Sequence, residues 1–427
     1  MASSRADGPF EAVLEDIDPE LSSAIDAELA RQRSTLDLVA SESVPARAVL
    51  EAQGSVLTAK YADGYPAARE YDTCEWVDVV EQLAIGRAKT LFGAEHANVQ
   101  PYSGANANAA ALHALCDPGD VVLGFDFAHG GHPSQCATST FAGRNYQAFA
   151  YHLRRDDRLV DMDEVETLSR LHRPKVIFAG WSCYSRHLDF ARFREIADEV
   201  GAALVVDMAH FAGLVAAKLH PDPVPLAEIC TMTVHKTLGG ARGGAILCRA
   251  DLAERVDAAV YPGEQGCPLP HVIAAKAVSF KLASTAAFRE RMERTLEGAR
   301  TIAQVLVEAE SRTAAHVVTG GTDVHQLLVD LAPGGREAWA TLRKLNRIGI
   351  SANAIALAFD PHRAPDCSGL RFGSTALASR GFSREQFAEV GAILADALAN
   401  GGEDPDGSLG LRVAELTNEM PLYSYLA

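Results

Sequence analysis

The amino-acid sequence predicts an α/β protein: a large domain on a mostly parallel sheet, followed by a smaller α+β C-terminal domain. Three observations lead there. A chain of 427 residues is too long for one ordinary hydrophobic core. After an opening helical region, short apolar runs alternate with helical stretches, the pattern of strands joined by crossover helices. From Val317 onward a second set of short strands begins.

The elements follow in order. Leu21, Ile25 and Leu29 recur at spacing four between Ile17 and Arg33, which predicts an amphipathic helix in an arm or dimer element. A second helix between Val79 and Phe92 would place Val80, Leu83, Ala84, Ala88 and Leu91 on one face. The short, mainly apolar runs Val121-Val122-Leu123, Val176-Ile177-Phe178-Ala179, Ala203-Leu204-Val205-Val206, Cys230-Thr231-Met232-Thr233 and Ala245-Ile246-Leu247-Cys248 read as the strands of a mostly parallel sheet. Gly119 and Gly201 mark turns feeding two of them. Charged helical patterning fills Phe280 to Ala309, and strands are expected at Gln326 to Leu331 and Gly369 to Gly373. The expected division is an arm over 1–50, a large domain over 51–284 and a small domain over 285–427. Gly401 to Gly407 reads as an exposed loop.

Composition narrows the function. Basic residues number 39 and acidic residues 56, a formal charge of -17 that repels nucleic acid and anionic membranes, so neither is an expected partner. The eight cysteines form no CxxC pair and no zinc-type spacing with histidine; reduced thiols and no metal site are expected. No segment approaches the roughly 18 uninterrupted apolar residues of a membrane helix, and the N-terminus lacks the apolar stretch of an export signal. A cytoplasmic protein is expected.

The chemistry centres on Lys236, in Thr233-Val234-His235-Lys236-Thr237, and on Asp207, at the end of an apolar strand. Ligands of open α/β sheets bind at such strand ends, and an acid there is a cofactor partner or the cap of the following turn. A lysine is ordinarily a surface residue, but a strand from Cys230 would deliver this one to the same sheet edge as Asp207. Together they point to pyridoxal phosphate, whose aldehyde needs an amine for a Schiff base and whose pyridine nitrogen needs a carboxylate to stay protonated. Tyr102-Ser103-Gly104-Ala105 opens an Ala-rich helix, either as a phosphate cradle or as a plain N-cap. His210 could meet the cofactor's phenolic oxygen or a buried backbone group. His132 could lie against the ring or serve as a loop histidine. The glycine-rich stretch after Lys236 reads as flexible backbone that approaches a ligand closely.

These residues belong to longer motifs: Val39-Ala40-Ser41-Glu42, Lys60-Tyr61-Ala62-Asp63-Gly64-Tyr65-Pro66, Asn98-Val99-Gln100-Pro101-Tyr102-Ser103-Gly104, Asp207-Met208-Ala209-His210, and His235-Lys236-Thr237-Leu238. With them the chain resembles the serine hydroxymethyltransferase family of fold-type I (aspartate aminotransferase-like) pyridoxal-phosphate enzymes, from about residue 10 to about residue 420. The resemblance implies Lys236 as the Schiff-base lysine, Asp207 on the pyridinium, His132 on the ring face, and Ser182 with His210 on the phenolic side. Ser103, Gly104, Ala105 and Thr233 would line the cofactor, and Gly266 would reach its phosphate from a neighbouring subunit. Arg371 would clamp the substrate carboxylate, aided by Ser41, with Tyr71 and Arg242 also at the substrate and Tyr61 entering from the partner. Asp63 and Tyr61 would act in catalysis. A homodimer or dimer of dimers with sites at the interface follows.

Several departures from that family fall on its folate site. Asp63 replaces a glutamate and is shorter by one C–C bond, roughly 1.5 Å. Glu70-Tyr71 replaces paired tyrosines, Asp72-Thr73 replaces glycines, and Phe127 and Pro133 replace leucines. Ile355, in Asn353 to Phe359, replaces an asparagine that reads the pterin, which would leave polar ligand groups buried unpaired. Ala105 and Cys267 replace a serine and a glycine of the cofactor site. The expectation is therefore aldol and retro-aldol transfer of a glycine unit with folate doubtful, as in the family's threonine transaldolases, which release acetaldehyde from L-threonine and build a β-hydroxy-α-amino acid on another aldehyde. The alternatives are a serine or α-methylserine hydroxymethyltransferase using tetrahydrofolate, and a non-catalytic binder.

Overall fold

A computed structural model describes residues 10–360 and 366–426. Its centre is a seven-stranded sheet in the order His96–Asn98, Gly244–Cys248, Ile229–Thr233, Ala203–Asp207, Val176–Gly180, Val121–Phe125, Gln147–Tyr151. The pairings from Ile229–Thr233 to Gln147–Tyr151 are parallel. Gly244–Cys248 runs antiparallel to both its neighbours, so the sheet is mixed at one edge. Every residue of Val176–Gly180, Ile229–Thr233 and Gly244–Cys248 is buried, because helices cover both faces.

The small domain carries a four-stranded antiparallel sheet, His316–Val317, Gln326–Asp330, Gly369–Gly373 and Asn353–Ile355, over its own core. That core includes Leu36 and Leu38, and Leu36–Asp37 pairs in parallel with Ile350–Ser351. The last part of the expected arm is thus a piece of the small domain. No local pattern could reveal a pairing some 300 residues apart in sequence, since only tertiary packing selects it. The earlier part, the helix Pro19–Ser34, buries no residue; Leu21 and Ile25 are exposed. The helix Ala286–Glu308 threads both cores, with Phe288 and Met292 in the first and Ile302 and Leu306 in the second.

The helix Glu75–Phe92 ends at Gly93, which takes φ +69. Its buried face is Val77, Glu81, Ala84, Ala88 and Phe92, whereas Leu83 is exposed. Of the expected face, Ala84 and Ala88 are buried and Val80 and Leu91 pack partly buried against the large core, so only Leu83 departs from it. Glu81 is an unexpected member of the buried face: Arg69 Nη2 donates to it at 2.6 Å and Gln100 Nε2 at 2.8 Å, so hydrogen bonds satisfy a carboxylate that hydrophobicity would leave in solvent. Among the described residues no helix is long and apolar enough to cross a membrane, and no cluster of metal-ligating side chains occurs.

Candidate active site

The parallel strands bring their C-terminal ends to one cavity of about 330 Å³. Asp207 closes the strand Ala203–Asp207 between Gly180 and Thr231. Gly180 has φ +137, and a Cβ there would lie 2.2 Å from the Asp207 carbonyl oxygen, so only glycine fits beside the acid. The carboxylate is 3% exposed and accepts from Asn108 Nδ2 at 2.9 Å, Gln135 Nε2 at 3.3 Å and the Ala209 N–H at 3.1 Å. Amide donors fix its orientation without pairing it with an opposite charge, each such bond contributing about 2 kcal/mol.

Lys236 follows the strand Ile229–Thr233 into the same cavity. Burial lowers its amine to about pH 8, Asp207 opposes that shift, and Arg371 adds to it. A partly deprotonated amine is what carbonyl capture near neutral pH requires. The loop after it is packed and not flexible: Leu238, Gly239, Gly240 and Ala241 are buried, and a Cβ on Gly240 would lie 2.1 Å from Ser279 Oγ. Backbone that cannot sway keeps the amine aimed.

Ser103, Gly104, Ala105 and Thr233 line the cavity at the N-terminus of the helix Gly104–Leu115. Ser103 Oγ accepts the Asn106 N–H at 3.2 Å, so the N-cap reading holds. The backbone also makes a cradle. A Cβ on Gly104 would lie 2.7 Å from Thr233 Cγ2, and one on Gly244 would lie 2.3 Å from the Ser103 carbonyl oxygen. An amine, a buried carboxylate and a small-residue helix start around one cavity are the donor set that pyridoxal phosphate needs.

Five further expected residues line the same space. His132 accepts the Ser134 N–H on Nδ1 at 3.3 Å, and burial lowers its pKa. Ser182 and Arg242 are there, as is Ser41 from the N-terminal segment. His210 also lines it, and burial followed by the charges of Lys236 and Arg371 keeps its imidazole neutral.

Arg371 comes from the small domain, in register with Leu328 and Asn353. Its Nη2 and Nε donate to Asn353 Oδ1 at 2.7 and 3.2 Å, and Nη1 donates to the Ser182 carbonyl at 2.9 Å. The residue is 7% exposed, and among the described residues no carboxylate pairs with it. A buried guanidinium without a counter-charge is costly unless an anion joins it, and a substrate carboxylate is the matching shape.

Tyr61, Asp63, Tyr71 and Gly266 do not line this cavity within one chain. They form a separate patch. The Tyr61 and Tyr71 rings meet edge-on at 5.4 Å, Asp63 lies beside the Tyr71 hydroxyl, and the Ala62 N–H points to Cys267 Sγ at 3.2 Å. Glu70 joins the patch, accepting from the Tyr261 hydroxyl at 2.6 Å. Of the four, Tyr61 and Gly266 were expected to act from a neighbouring subunit; the structure sets Asp63 and Tyr71 with them.

A second cavity, of about 510 Å³, shares a wall with the first: Ser182 lines one and Cys183 the other. Ile355, Leu357 and Leu328 give it an apolar side, and Arg155 and Arg158 stack on Phe359 at its edge, 4.3 and 4.8 Å from the ring centroid.

Sequence reasoning missed Asn108 and Gln135, the two amides on Asp207. Asn108 had a signal: it is a lone amide on the buried face of an alanine helix, where a polar side chain needs a partner. It also accepts from Thr231 Oγ1 at 2.5 Å. His235, which the sequence marks only as the neighbour of Lys236, also lines the cavity, pushed down to about 3 by burial.

Comparison with known proteins agrees with this geometry. The serine hydroxymethyltransferase family profile matches residues 14–394. A serine hydroxymethyltransferase of Nocardia farcinica is 55% identical over 414 residues, covering 97% of this chain and 96% of its own length. One from Kineococcus radiotolerans is 53% identical over 419 residues, covering 98% and 96%. Serine hydroxymethyltransferase 2 of Mycobacterium tuberculosis is 53% identical over 411 residues, covering 96% and 97%. The chain therefore belongs to the serine hydroxymethyltransferase family of fold-type I, pyridoxal-phosphate-dependent transferases.

Proposed function

We propose that the protein interconverts glycine and L-serine, exchanging a hydroxymethyl unit with tetrahydrofolate, as a homodimer completed at each site by Tyr61, Asp63, Tyr71 and Gly266 of the neighbouring subunit. One observation carries the reading. Lys236, Asp207 and a carboxylate-free Arg371 surround one cavity in a chain at least 53% identical, almost end to end, to enzymes named for this reaction. The bound cofactor supplies an electron sink for the bond broken at the amino acid's Cα. Arg371 and Ser41 hold the amino acid's carboxylate. Asp207 keeps a proton on the ring nitrogen, and its amide partners stop it from swinging away. Lys236 holds and releases a proton at Nζ. His132 restrains the ring from one face, and Asp63 would handle the proton of the hydroxymethyl oxygen.

The transaldolase reading retains one observation in its favour: Ile355 turns an apolar side toward the second cavity where the family has an asparagine. The names of the relatives favour hydroxymethyl transfer over it. Addition of tetrahydrofolate to protein plus glycine is expected to speed solvent exchange of the glycine α-hydrogen at least about tenfold, the coupling between two sites that share a wall. An exchange rate unmoved by saturating tetrahydrofolate would sink the proposal and leave an aldehyde acceptor in its place.

A further inference from the structure

Lys276 is a buried lysine that the proposed chemistry does not use. It sits in the helix Pro270–Ala283, is 1% exposed, and donates from Nζ to the carbonyls of Val99 at 2.7 Å, Pro101 at 3.0 Å and Gly244 at 2.8 Å. An ammonium has three N–H donors and here finds three acceptors. The acceptors are not scattered. Val99 and Pro101 lead directly into the Ser103–Gly104 turn. Gly244 begins the strand that returns from the Lys236 loop, and its N–H donates to the Pro101 carbonyl at 2.9 Å. Just before it, the Gly243 carbonyl accepts the Val234 N–H at 3.0 Å. A Cβ on Gly243 would lie 2.5 Å from Lys276 Cε, so the lysine passes tightly against this glycine pair.

Between the two pinned carbonyls, Gln100 turns the other way and donates to Glu81 Oε1 at 2.8 Å and to the Gly64 carbonyl at 3.0 Å. Glu81 favours the charged lysine from across the segment, against the burial that disfavours it. A buried charge retained at that cost needs a reason beyond filling space, because an apolar side chain of the same length would fill it as well.

We propose that Lys276 is a positioning residue for the cofactor's phosphate: its ammonium ties the root of the Ser103–Gly104 turn to the strand leaving the Lys236 loop, which sets where the turn's N–H groups point. This rests on reading Ser103 and Gly104 as the phosphate turn. Lys276 touches neither cofactor nor substrate, so its removal should be felt through the phosphate alone.

The test compares two aldehydes on the apoprotein, pyridoxal phosphate and pyridoxal, which differ only in the phosphate and are both captured at Lys236. Equilibrium affinities are read by absorbance titration for the wild type, Lys276→Met and Lys276→Gln. The methionine variant is expected to lose at least about tenfold in affinity for pyridoxal phosphate and less than about twofold for pyridoxal, as for loss of hydrogen bonds from a charged group. The glutamine variant, with two N–H donors left, should show the same selectivity to a smaller degree, and it carries the test if the methionine variant does not fold. Parallel losses for both aldehydes would mean a merely structural role and overturn the proposal, as would affinities unchanged from wild type. If the wild type itself did not distinguish the two aldehydes, the phosphate-turn reading would fall, and the inference with it.

Discussion

Replacing Lys236 by alanine is expected to abolish the visible absorbance of lysine-bound cofactor and to lower turnover by at least about 10³-fold, the range for removing a group that moves a proton in the reaction. The loss should be specific. Alanine removes a side chain that reaches into a cavity, and its neighbours Val234 and Leu238 stay in the core, so the fold should persist with little change in thermal midpoint. Borohydride reduction of the wild type should fix the cofactor's mass on the peptide containing Lys236, and the variant should give no such adduct. A pH signature goes with it. Because burial depresses this amine to about pH 8, capture of cofactor by the wild-type apoprotein should rise about tenfold per pH unit on approach from below and level off above that value. Retained colour in the alanine variant would place the amine elsewhere.

Asp207→Asn carries the second-largest expected effect, a fall in turnover of about 10²-fold or more, because the variant keeps the shape of the side chain and removes the charge that would hold a proton on the ring nitrogen. The local hydrogen bonding also turns against it. Asp207 accepts on one oxygen from Asn108 and Gln135 and on the other from the Ala209 N–H, so an asparagine NH₂ group faces a donor whichever way it is turned. That mismatch adds about 1–3 kcal/mol of destabilisation. The charge of Asp207 also holds the Lys236 pKa up, so its loss should move the acidic limb of the capture profile to lower pH. Activity preserved within a few fold, with the limb unmoved, would show that the carboxylate does not act on the cofactor.

What could be read in the sequence followed from how local each cause is. Lys236 and Asp207 were legible because covalent capture and ring protonation admit few residue types, and both sit at strand ends that apolar runs announce. The five inner strands of the large sheet were legible for the same reason; its two edge strands, His96–Asn98 and Gln147–Tyr151, were not, nor was the antiparallel pairing of Gly244–Cys248 with Ile229–Thr233 across the loop that carries Lys236. On the helix Glu75–Phe92 the buried Glu81 was not legible, because it owes its burial to Arg69 and Gln100, partners that hydrophobic periodicity does not register. Leu36 and Leu38 looked like an arm because their partners lie far along the chain. Asn108 and Lys276 were polar residues among the apolar buried positions of their helices, an anomaly that marks a buried hydrogen-bond site without naming its acceptor. Tyr61 and Asp63 share one motif, but their place beside Tyr71 and away from the Lys236 cavity of the same chain is a matter of chain path that no motif encodes.

The question that decides the account is which fragment leaves the amino acid and where it goes. The most direct measurement incubates the enzyme with L-serine and, separately, with L-threonine, each with and without tetrahydrofolate, and follows glycine, one-carbon folate and acetaldehyde. The account predicts glycine and one-carbon folate in equal amounts from L-serine, dependent on tetrahydrofolate, with acetaldehyde release from L-threonine slower and indifferent to it. Rapid acetaldehyde release from L-threonine, together with no tetrahydrofolate-dependent product from L-serine, would contradict it.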